Sequence, residues 1–230
     1  MGAIGALRHC DALGRPARLG IIRSHDQTRS TSSPSRRRLA GQRAAHPAPC
    51  PRHWLFRPGA LTAGLRQVGQ VRLRVLAEYA DGAPLDEARA MGIPPGTPVW
   101  IREVLMSVNG VDSVPARSLT PLGASHGAWQ GMRRLLTRPL ADMLYHDSTV
   151  VRSPFACRRL ASPVPFHGTA LGVLPAARRD CDGGRIWARR SVFWRQGQPL
   201  LVAECFLPAF WDLVAEQPVP PLVPHQRTPR

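Results

Sequence analysis

Two strand-like stretches of this chain carry charge where an apolar side chain belongs. In residues 99–108, Trp100, Arg102, Val104, Met106 and Val108 fall on one face, and Arg102 is the charge among them. Glu103 lies on the other face with Ile101 and Leu105. In residues 199–207, Glu204 shares a face with Leu200, Val202 and Phe206. A third charge, Arg117, falls with Pro115 and Leu119. A buried charge is costly unless it is paired or hydrogen-bonded. Two plain readings stand: Arg102 and Glu204 form a buried ion pair, or these faces are solvated. The functional reading is a buried polar cavity for a small anion. Arginine grips a carboxylate with two parallel hydrogen bonds. A carboxyl in an apolar wall is raised toward neutrality and exchanges protons there. Leu140 adds a third element, because it lies in the first turn of a helix expected to begin near Pro139. Backbone N–H groups at such an end favour an anion.

The elements that must position these residues follow from periodicity. Leu61, Leu65 and Val68 mark one face of a short helix over 61–68, with Gly69 as its stop. Val71, Leu73, Val75, Ala77 and Tyr79 alternate with polar residues, which predicts a half-buried strand. Residues 84–91 predict a helical turn closed by Gly92. Asn109-Gly110 directly follows the strand 99–108 and supplies the two positive-φ residues of a tight hairpin turn, so 111–120 pairs back antiparallel. Residues 122–146 read as helix in two pieces, the second capped by Thr137 and starting at Pro139. Residues 150–160 are strand-like, with Pro154 marking an edge or bulge. Residues 161–184 read as a long loop, 185–207 as a second hairpin, and 213–230 as a Pro-rich tail. Six strands joined mostly by hairpins, with helices between them, predict an α+β fold: an antiparallel sheet covered by helices.

Composition narrows the function classes. The chain has 230 residues and is 43% hydrophobic, enough for a core. It has no apolar run long enough for a membrane span. Five cysteines are scattered without metal-like spacing, which fits a reducing compartment and argues against a disulfide framework or zinc site. The formal net charge is +16, and every basic residue is arginine. Half of that charge, +8, sits in residues 1–53, and the other +8 is spread over residues 54–230. Residues 1–53 lack apolar periodicity and contain the Ser/Arg run 30–38, so they are expected to be disordered. They read as a transit peptide, a nucleic-acid-binding arm or an extension without function. The foldable segment is expected over residues 54–212.

Four motifs carry a family resemblance. Trp100-Ile-Arg-Glu-Val-Leu105, Pro139-Leu-Ala-Asp-Met-Leu144, Trp187-Ala-Arg-Arg-Ser191 and Gly197-Gln-Pro-Leu-Leu-Val-Ala-Glu-Cys-Phe-Leu-Pro208 resemble chorismate lyase in order and spacing. The resemblance covers about 160 residues, from Trp54 to Trp211, and the last motif is the most specific. It implies a six-stranded antiparallel sheet with helical flaps over an enclosed site. It also implies removal of pyruvate from chorismate to give 4-hydroxybenzoate for ubiquinone synthesis, in the cytoplasm, by a monomer without a cofactor. By the same resemblance Arg102 binds the ring carboxylate and Glu204 lies near the phenolic oxygen. Leu140 and Leu61 give main-chain contacts. Arg117 is either a ligand for the second carboxylate or a plain structural arginine. Residues 1–53 have no counterpart in the compact members, loop 161–184 is longer than in the shortest, and Ala60 stands where a serine often precedes the first helix.

Two other classes compete. A related fold senses small ligands in bacterial transcription regulators, but residues 1–53 are too short and too poor in apolar periodicity for their winged helix. An Arg-rich nucleic-acid-binding protein would bind with steep salt dependence and lose binding with residues 1–53.

Overall fold

The computed structural model describes residues 51–179 and 184–216. Its centre is an antiparallel sheet of seven strands: β1 Val71–Gly82, β2 Pro98–Val108, β3 Val111–Pro121, β4 Val151–Arg152, β5 Ala156–Leu160, β6 Ile186–Arg195 and β7 Gln198–Phe206. The order is β1-β2-β3-β7-β6-β4, with β5 also paired to β6. Six helices, α1 Pro51–Leu55, α2 Leu61–Val68, α3 Leu85–Met91, α4 Ala141–Leu144, α5 Pro165–Gly172 and α6 Pro208–Ala215, complete the α+β fold. The seventh strand arises because Pro154 cannot donate to the ladder, and Ser153-Pro154-Phe155 divides β4 from β5.

Both predicted hairpin turns form. Asn109 and Gly110 have φ of 52° and 82°, and Gln196 and Gly197 have φ of 51° and 72°. The left-handed pair matches the twist of the flanking strands. Gly92 closes α3 in the left-handed region at φ 70°.

Three expected segments fold differently. Residues 122–146 form 3-10 turns at Ala124–His126 and Gln130–Arg134 and the single turn α4, rather than two helices. Gly123, Gly127 and Gly131 recur through the first piece, where glycine disfavours regular helix, and burial of Trp129 and Met132 sets the path instead. Leu140, not Thr137, takes the N-cap position of α4. The expected loop 161–184 contains α5, which starts at Pro165 and buries Phe166 and Ala170. At the far end, α6 runs to Ala215, past the expected boundary at 212, and buries Phe210 and Val214. The disorder expected in residues 1–50, and the end of the tail, lie outside the described residues.

The core divides by sheet face. One face packs Ile101, Leu105, Leu119, Leu201 and Cys205 against α3 and α5. The other packs Val104, Met106, Ala116 and Phe206 against α1, α2 and α6, and continues under the 124–144 segment through Phe193 and Leu200. Two bulges decide which charges face which side. In β1, Val75 pairs with Val104 but Ala77 pairs with Glu103, so Leu76 is the extra residue. In β3, Met106 pairs with Val114 and Ser107 with Asp112, so Ser113 is the extra residue. One extra residue turns everything beyond it to the opposite face. Glu78 is thereby aligned with Arg102, while Arg117 is aligned with Glu103 rather than with Arg102.

Candidate active site

A partly open cavity lies on the α2 side of the sheet. Its wall includes Leu61 from α2, Arg102 from β2, Leu140 at the start of α4, Arg189 from β6 and Glu204 from β7. Four of the five residues singled out in the sequence therefore meet in one place: Leu61, Arg102, Leu140 and Glu204. The apolar part of the wall includes Val104, Met106, Phe155, Phe193 and Val202, a setting for a flat ring.

Arg102 is only 2% exposed. Its Nη1 donates to Glu78 Oε1, and its Nη2 donates to the carbonyl oxygen of Leu136. Leu136 holds φ at 50° and is an exposed residue, so a surface segment in a left-handed conformation is tied to the buried guanidinium. Five N–H donors belong to an arginine, and these two bonds do not use them all. Glu204 does not pair with Arg102. Its Oε2 accepts from Arg189 Nε at 2.6 Å. The expected buried ion pair between Arg102 and Glu204 is thus replaced by two separate pairs, each with a partner on a neighbouring strand. Tyr145 closes one side of the cavity and donates to the carbonyl oxygen of Gly59 at 2.9 Å; burial pushes its phenol upward.

Arg117 belongs elsewhere. The Ser113 bulge turns it to the α3 side, where its Nε and Nη2 donate to the two oxygens of Glu87 at 2.8 and 3.1 Å. Its Nη1 donates to Glu103 at 2.6 Å and to the Tyr79 hydroxyl at 2.9 Å. Thr169 from α5 adds a bond to Glu103 at 2.8 Å. Burial works against the Arg117 charge, yet these partners hold it above the usual arginine range. Burial also pushes Glu87 upward, against the pull of Arg117. This is a structural network joining β1, β2, β3, α3 and α5. The assignment of Arg117 to a substrate carboxylate is therefore corrected to the structural alternative.

Arg189 lies within the motif Trp187–Ser191, and the resemblance implies no role for it. The signal was present: alternation places it with Trp187, Ser191 and Phe193, a charge among aromatic neighbours of the same kind as Arg102. Among the described residues no group of histidine, cysteine, aspartate and glutamate is placed to hold a metal ion. No helix among them is long and apolar enough to cross a membrane.

The fold is an antiparallel sheet with helices packed on it, and it sets two arginines and a glutamate on the wall of a largely apolar cavity. The chain belongs to the chorismate lyase family, which matches residues 39–216, and it is a lyase of that family. A Bordetella avium protein described as a probable chorismate pyruvate-lyase is 71% identical over 181 residues, covering 78% of this chain and 88% of that one. A Pseudomonas fluorescens protein described as probable chorismate pyruvate-lyase 1 is 41% identical over 162 residues, covering 70% and 84%. The solved ligand-binding domain of a putative GntR-family transcriptional regulator from Bordetella bronchiseptica aligns with a TM-score of 0.43 at 20% identity, covering 61% of this chain and 86% of that one. That likeness is too distant to bear on function.

Proposed function

We propose that this enzyme removes pyruvate from chorismate and leaves 4-hydroxybenzoate, as a cytoplasmic monomer feeding ubiquinone synthesis. The observation that carries the reading is the meeting of Arg102, Glu204, Leu61 and Leu140 around one cavity. Arg102 and the Leu140 amide hold the ring carboxylate, with a main-chain contact from the start of α2 at Leu61. Glu204 stands at the other end of the slot, by the ring C4 and its hydroxyl. The ring proton on C4 leaves, and its electron pair forms the new ring double bond. The C3–O ether bond breaks, and its pair stays on the enolpyruvyl oxygen. Glu204 helps that proton on its way, and the enol takes up a proton to become pyruvate. Atoms and electrons balance without an added oxidant or reductant. The gain of aromaticity drives the step, so the protein supplies orientation, a proton path and exclusion of water.

The test is a pair of variants. Arg102→Ala should lose substrate binding, seen as a collapse of kcat/KM with weakened binding of 4-hydroxybenzoate by titration. Glu204→Gln should bind 4-hydroxybenzoate but lose on the order of 10²–10⁴-fold in kcat, the usual scale of general acid–base catalysis. Near-normal kcat/KM in either variant removes the role assigned to that residue.

A further inference from the structure

We infer that Arg189 is a positioning residue that fixes the Glu204 carboxylate for proton transfer, an inference that rests on the lyase reading above. The turn at Gln196-Gly197 sets the β6–β7 register, and in that register Arg189 is the direct cross-strand partner of Glu204. The two side chains share the cavity wall. Arg189 is 1% exposed, and its Nε donates to Glu204 Oε2 at 2.6 Å.

What distinguishes this pair from a plain ion pair is how the guanidinium itself is held. Its Nη1 donates to the carbonyl oxygens of Trp54 and Arg57 at 3.0 and 3.2 Å. Its central carbon stands 4.3 Å from the ring centroid of Phe155, in the segment between β4 and β5. Three separate parts of the chain therefore fix one planar group: β6 carries it, the stretch from Trp54 to Arg57 accepts from its edge, and Phe155 covers a face. A glutamate side chain alone has several free torsions. Bonded to a fixed fork, it has one place for its carboxylate. Loss of that placement by about an ångström costs on the order of 10²-fold in rate. Arg189 thus acts through Glu204, while Arg102 provides the charge that selects the ligand.

The experiment is a double-mutant cycle on the full chain with chorismate, read as separate kcat and KM. Arg189→Met and Arg189→Lys should each lower kcat, Met on the order of 10²-fold and Lys less, because lysine keeps the charge but not the fork. KM and the titrated affinity for 4-hydroxybenzoate should stay near the wild-type values. In a Glu204→Gln background, adding either Arg189 change should cost no further kcat, since the group it positions is already gone. If Arg189→Met does not fold, Arg189→Lys carries the same cycle. Multiplying losses across the cycle, a wild-type kcat in the variants, or weakened 4-hydroxybenzoate binding with kcat intact would each overturn the inference. Absence of pyruvate from the wild-type protein overturns the lyase reading and this inference together. Pyruvate from the wild type with no effect of Arg189 overturns this inference alone.

Discussion

Three arginines are buried in this sheet, and each answers to different partners. Arg117 faces two carboxylates and a phenol hydroxyl and is not on the wall of the cavity that holds Arg102 and Glu204. Arg102 and Arg189 each face one carboxylate and one or two backbone oxygens, and both line the cavity. The kind of partner and the place on the cavity wall separate Arg117 from the other two: it is matched by two carboxylates, while Arg102 and Arg189 have one each. Arg117→Met should leave Glu87 and Glu103 buried without their cation and lower unfolding stability by about 3–5 kcal/mol. Urea denaturation checks this. An unchanged midpoint together with a raised KM would return Arg117 to the substrate. Residue types alone marked Arg102 and Glu204 as charges among apolar neighbours, and both lie on the cavity wall; a charge between apolar neighbours two positions away needs no knowledge of the register. They did not show that Glu78 and Arg189 are the partners, since those sit on other strands.

At the scale of elements, the legible parts were those with local signals. Asn109-Gly110 fixed one hairpin, and the two-residue turn at Gln196-Gly197 fixed the other, which also sets Arg189 opposite Glu204. The illegible parts were the bulges. Nothing in Val111–Pro121 announces that Ser113 is unpaired, yet that residue alone sends Arg117 to the far side of the sheet. Leu76 does the same in β1, bringing Glu78 to Arg102 and leaving Tyr79 for Arg117. The helices α5 and α6 were hidden by Pro- and Gly-rich surroundings, although each begins with the proline that suits a first helical turn. The segment over the cavity was overread as helix because its apolar residues recur at helical spacing while its glycines interrupt the turns. One prediction belongs to this segment. Leu136 is 75% exposed at φ 50°, so Leu136→Gly removes a left-handed strain at little loss of burial. It should raise stability by about 0.5–1 kcal/mol, the strain relieved less the extra chain entropy of glycine. A lowered melting temperature would show that the leucine side chain does more than its exposure implies.

Over the whole molecule, charge is spread unevenly along the chain. The residues proposed for the site lie between Leu61 and Glu204, all within the family-matched stretch 39–216. Half of the formal net charge lies before Trp54, and the residues described on the cavity wall all follow it. A protein lacking residues 1–38 should therefore keep its kcat/KM for chorismate. A large loss on truncation would mean that the arginine-rich segment serves the reaction. The measurement closest to the central claim is simpler. The purified full chain is mixed with chorismate, without added metal or nucleotide, and 4-hydroxybenzoate and pyruvate are followed by chromatography. The account predicts that both appear in equimolar amounts, and that Glu204→Gln abolishes both. Intact chorismate beside a folded wild-type protein would contradict it.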